Sequence, residues 1–194
     1  MVRIHRIHRS PLFESMNLDT IWARTKRSLG RIAHDQRRFA ISPRPDKPFD
    51  VGAGLALLTP KRELMCVGTN NFKQAIGPRQ HKCPDHCAEM YGIATARKMK
   101  CKIIGMVIEA PPQPDDYSGF FEEEVTVSCV FCRYEYRQEL KDPESPLMPE
   151  TWLQFNHPTK KKKFYERRVA TFLKLFPNDP VVLDPKHLPH RGGP

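Results

Sequence analysis

The sequence has no long hydrophobic run. No stretch approaches the roughly 18 consecutive apolar residues of a membrane-spanning helix, so no membrane anchor is expected. Met1 to Asn17 carries alternating basic residues and lacks an apolar h-region, so a secretory signal is not expected either. A cytoplasmic protein is the resulting expectation. Several catalytic signatures are missing as well. Serine, histidine and aspartate are scattered without a nucleophile elbow, no glycine-rich phosphate loop appears, and no internal repeat is found. Acidic side chains are in deficit, 22 against 32 Lys+Arg, for a formal net charge of +10. The apolar fraction, 39%, is too high for a wholly disordered chain. A chain of 194 residues is long enough for one domain with one real core.

The positive charge is concentrated. Residues 1–38 carry nine Lys/Arg against three Asp/Glu, and residues 160–168 carry six against one. The rest of the chain is close to electrically balanced. Segments of this kind can touch phosphate, and nucleic acid is a possible partner through them; the plainer reading is a solvated basic face.

Proline, with 19 residues, punctuates the chain because it is not tolerated inside helices or central strands. Leu18, Ile21, Trp22, Leu29, Ile32 and Ala33 fall on one side of a helix that the prolines from Pro43 onward close. Residues 51–60 and 63–71 read as two strands joined by a turn at Pro60–Arg62. Asp85 is a plausible N-cap for a helix from about His86 to Met99. Residues 102–110 form a nearly continuous apolar run, the mark of a strand covered on both faces. Ser128 can cap a helix from Cys129 to about Lys141. Residues 151–157 and 162–169 read as a last strand pair, followed by a short helix. The expected architecture is α/β: a three-layer α/β/α sandwich around a mixed five-stranded sheet. The expected organisation is a basic N-terminal tail (1–16), a domain (17–177) and a proline-rich C-terminal tail (178–194).

Six cysteines without a secretion signal point to metal or catalysis rather than disulfides. Cys66 and Cys101 sit singly in apolar surroundings and read as buried small hydrophobes. Cys87, in Cys87-Ala88-Glu89, and the pair Cys129 and Cys132 lie at expected helix N-termini, where the helix dipole favours a thiolate. Three thiolates can hold one Zn2+ at about 2.3 Å and leave a tetrahedral position open. A water there ionises near neutral pH, and Glu89 is placed to take its proton and pass it on.

These residues resemble the zinc deaminase signature, a zinc ligand two residues before a Glu, followed by Cys-x-x-Cys. The likeness to the cytidine deaminase family extends over about Leu29 to Phe176. It is carried by PFDVGAGLALLT (48–59), VGTNN (67–71), Cys129–Arg133 and FYERRVATFLKLFP (164–177). The resemblance implies an enzyme with one zinc ion per chain, held by Cys87, Cys129 and Cys132. Glu89 would shuttle the proton, and Arg133 would hydrogen-bond and neutralise the ligand thiolates. Asn70 would hold the ribose 3′-hydroxyl, Phe49 would pack near the pyrimidine, and the backbone N–H groups of Ala88 and Cys129 would lie near the ring. The implied reaction is hydrolytic deamination of the cytosine base of a nucleoside, in a homo-oligomer, a tetramer or a dimer.

Three features depart from the family pattern. Phe72 stands where the family has a Glu, Ser128 where it has a Pro, and the loop between Asn71 and Cys87 is longer, with Lys73, Arg79, His81, Lys82 and Cys83. Two other readings stay open. One is a deaminase of the same fold acting on nucleic acid or a modified nucleoside. The other is a non-catalytic module whose zinc is closed off by Cys83 together with Cys87, Cys129 and Cys132.

Overall fold

The computed structural model describes residues 3–6, 17–40, 50–71, 87–111, 125–160 and 163–179. The strands are β1 (Arg3–Arg6), β2 (Gly52–Leu58), β3 (Leu64–Asn70), β4 (Lys102–Glu109), β5 (Trp152–Asn156) and β6 (Phe164–Arg168). The helices are α1 (Leu18–Arg37), α2 (Ala88–Lys98), α3 (Val130–Glu139) and α4 (Val169–Leu173). The sheet order is β1-β3-β2-β4-β5-β6. Only β4 and β5 pair in parallel, as the α3 crossover between them requires, and all other neighbours are antiparallel. The five expected strands make the expected mixed sheet. The basic segment expected as a tail adds a sixth, β1, on the outer edge of β3.

Alternation along the strands separates two cores. Ile21, Trp22, Leu29 and Ala33 of α1 pack with Ala56, Cys66, Ile104 and Val107 on one face. Leu55, Leu57, Val67, Ile103, Met106 and Phe155 face the other way, onto α2, α3 and α4. Helix, sheet and helices are thus the three layers. Ile104 and Gly105 together oppose Ala56, a β-bulge that turns two successive residues toward α1. Gly54 lets α1 approach the sheet, because a Cβ there would overlap the Leu29 carbonyl. The β2–β3 turn closes with Arg62 N–H donating to the Thr59 carbonyl at 2.9 Å and Arg62 in the left-handed region at φ 59°.

The register fixes which end of the sheet matters. Asn70, Gly52, Glu109, Asn156 and Phe164 line up across five strands at one end. Helices α2 and α3 begin at that same end. The Thr69 hydroxyl donates to the Ala88 carbonyl at 2.8 Å and ties the start of α2 to the end of β3.

Candidate metal centre

Cys87 and Cys129 are the N-cap residues of α2 and α3. Neither side chain makes a capping hydrogen bond, but both residues stand at the positive end of a helix dipole, which favours a thiolate. The caps expected at Asp85 and Ser128 differ from this arrangement. Asp85 and His86 lie outside the described residues, and Ser128 uses its hydroxyl elsewhere. Cys132 follows Cys129 by one helical turn and projects from the same side of α3. The three Sγ atoms all lie within 4.8 Å of one another, and Cys87 and Cys129 are 3.9 Å apart. Tetrahedral coordination at about 2.3 Å sets ligand sulfurs about 3.8 Å apart, so the trio could hold a metal ion. Cys87 and Cys132 are buried and Cys129 is half-buried.

Glu89 stands in the first turn of α2, 4% exposed. Ser128 Oγ donates to its Oε1 at 3.1 Å, while Oε2 is buried and has no partner. The Ser128 proton is used on Glu89, so the 3.0 Å contact from Tyr136 is a donation by the phenol to Ser128 Oγ. A buried relay, Tyr136 to Ser128 to Glu89, thus fixes one carboxylate oxygen and leaves the other available. Burial, with the Cys129 charge adding to it, pushes the Glu89 carboxyl up to about 7. Burial and the neighbouring Glu89 charge raise the Tyr136 phenol well above its ordinary value, so it stays a donor.

The expected residues divide as follows. Cys87, Ala88, Glu89, Cys129 and Cys132 are brought together. Arg133 is adjacent, and its guanidinium is held by a carboxylate and a carbonyl. Its Nε and Nη2 donate to the two oxygens of Asp179 at 2.8 Å, and its Nη1 to the Ser128 carbonyl. A planar fork of donors matches a carboxylate better than a sulfur, and Asp179 occupies it. The guanidinium also lies 3.9 Å from the centroid of the Phe176 ring. Asn70 ends β3, with its Nδ2 donating to the Gln36 carbonyl of α1 at 3.2 Å and its Oδ1 buried without a partner. Strand alternation turns Thr69 toward α2 and Asn70 toward α1. Phe49, Phe72, Cys83 and the rest of the loop before Cys87 lie outside the described residues.

Three contributors were not expected from the sequence: Thr69, Tyr136 and Asp179. Tyr136 had a signal, because Cys129, Cys132 and Tyr136 recur at the 3–4 residue spacing of one helix face. Asp179 had none, lying in the stretch expected as a tail. Among the described residues no helix is long and apolar enough to cross a membrane. The chain matches no model of a known protein family and no curated protein.

Proposed function

We propose that this protein is a zinc-dependent hydrolase that deaminates the cytosine base of a nucleoside, releasing ammonia. One observation carries the reading: a buried carboxylate with an unpartnered oxygen beside three converging sulfurs. An all-thiolate donor set suits zinc, and Cys87, Cys129 and Cys132 would hold it. Bound zinc supplies Lewis acidity that makes hydroxide available near neutral pH. In the reaction, water adds its oxygen to the amine-bearing ring carbon, the C–N bond breaks, and the oxygen remains as the ring carbonyl. Glu89 Oε2 takes a proton from the attacking water and delivers it to the ring nitrogen. A second proton passes through the same oxygen to the departing amine. Ser128 holds Oε1, so the carboxylate does not rotate away between the two transfers. Asn70 Oδ1 is the proposed acceptor for a sugar hydroxyl, and Phe49 the proposed neighbour of the base.

The test is ammonia release from a panel of cytosine nucleosides, run beside metal analysis of Glu89→Gln. The variant is expected to keep its metal and lose about 10²–10⁴-fold in rate, the usual contribution of a general acid–base group. Undiminished turnover in the variant would overturn the assignment.

A further inference from the structure

Ser128 is held at both of its polar ends. Its hydroxyl donates to Glu89 Oε1 at 3.1 Å and accepts from the Tyr136 phenol at 3.0 Å. Its carbonyl accepts from Arg133 Nη1. Arg133 and Tyr136 are three residues apart on α3 and so share one side of that helix. Helix α3 thus reaches back and grips the residue that precedes its own N-cap. Ser128, Arg133 and Glu89 are each 5% exposed or less, so these contacts are made away from bulk water.

The carbonyl bond reaches beyond Ser128. The Ser128 carbonyl and the Cys129 N–H belong to one trans peptide group, so holding the oxygen fixes the direction of the N–H. This peptide stands where the chain turns into α3, with Cys129 at φ −64° and ψ 165°. The first turn of a helix carries positive charge, so a guanidinium there is disfavoured unless an anion accompanies it. Asp179 is that anion. Its two oxygens accept from Arg133 Nε and Nη2 at 2.8 Å, and Oδ2 also accepts from Arg137 Nη1 at 2.9 Å. With Nε and Nη2 committed to the carboxylate, the rigid fork leaves Nη1 for the Ser128 carbonyl. The Phe176 ring covers the guanidinium, with its centroid 3.9 Å away.

We propose that Arg133 and Asp179 are positioning residues of the reaction centre. Asp179 holds the guanidinium, and the guanidinium holds the Ser128–Cys129 peptide. That peptide joins the hydroxyl that anchors Glu89 to the N–H expected beside the base. Both residues act through Ser128 rather than on the substrate. Arg137 is the internal comparison. Its hydrogen bonds go to Asp179 and to the Leu173 and Phe176 carbonyls, so it ties down the C-terminal turn without gripping Ser128. The effect on rate rests on the proposed deaminase reading; the effect on geometry does not.

NMR of zinc-loaded protein, isotope-labelled at glutamate and cysteine, reads the geometry directly. Arg133→Lys keeps the charge but loses the fork, and Asp179→Asn removes the fork's anchor. Both should displace the Glu89 carboxyl-carbon and Cys129 amide resonances while zinc stays bound. Arg137→Met should lower the melting temperature and leave both resonances at their wild-type positions. With cytidine, Arg133→Lys and Asp179→Asn should lose about 10–100-fold in kcat with KM within about threefold of wild type. Arg137→Met should keep kcat within about threefold. If Asp179→Asn does not fold, Arg133→Lys decides, because it retains an ion pair with Asp179. A Glu89 resonance unmoved in Arg133→Lys, an equal displacement in Arg137→Met, zinc lost from Arg133→Lys, or a loss confined to KM would each overturn the inference. Displaced resonances without deamination of any nucleoside sink the deaminase reading alone. Deamination with unmoved resonances sinks this inference alone.

Discussion

Asp179→Asn is the most informative single substitution outside the sulfurs. The Asp179 side chain is 9% exposed and accepts from Arg133, itself 7% exposed, and from Arg137. Burial alone would raise this carboxyl, but the hydrogen bonds from Arg133 and Arg137 outweigh it and hold it below its ordinary 3.8. Removing one partner of a buried ion pair typically costs about 3–5 kcal/mol, because the other charge is left without its counter-ion. Arg133 keeps the Ser128 carbonyl and the Phe176 ring, so the low end, about 3 kcal/mol, is expected. In a chain of this size that corresponds to a drop in Tm on the order of 10 °C. The pH dependence follows from the sign of the shift. A depressed carboxyl stabilises the fold fully above its unfolded value and loses that contribution as pH falls through its folded value. Wild type and variant should therefore differ by a constant amount above the unfolded value of 3.8, and by progressively less as pH falls below it, in urea titrations followed by fluorescence. A difference under about 1 kcal/mol at pH 7, or one that does not shrink at low pH, would refute the reasoning. Replacing Asp179 together with its buried partner, as Arg133→Met with Asp179→Leu, should recover part of the loss, since Arg137 keeps the Leu173 and Phe176 carbonyls.

Two further outcomes are expected. Gly54→Ala should cost about 3 kcal/mol, because its Cβ meets a backbone carbonyl that cannot turn aside, whereas Gly30→Ala should stay within about 1 kcal/mol of wild type, because there the Cβ meets only the Asn156 side-chain amide at 3.3 Å; paired thermal melts check both. Burial pushes the Cys66 thiol up to about 11, so this cysteine should resist iodoacetamide at pH 8 until the chain is unfolded, as mass spectrometry would show.

Much of the fold was legible because its signals are local. The apolar run 102–110 and the helical spacing from Leu18 to Ala33 follow from burial on two faces and on one. The strand Arg3–Arg6 escaped notice because four residues, three of them basic or histidine, carry no apolar run; its pairing with β3 is a tertiary effect. The bulge at Ile104 and Gly105 leaves no mark on the apolar run that contains it, because it is defined by the register of β4 against β2. At the centre, the sulfurs and Glu89 were readable from spacing. The partner of Arg133 was not, because Asp179 lies 46 residues away and no local pattern links them.

Extended X-ray absorption at the zinc edge, on protein loaded with one equivalent of zinc, tests the central claim most directly. Three sulfurs at about 2.3 Å and one oxygen or nitrogen near 2.0 Å are expected, with the light-atom shell retained in Cys83→Ser. Four sulfurs, reduced to three by that substitution, would show a site closed by protein and contradict a hydrolytic centre.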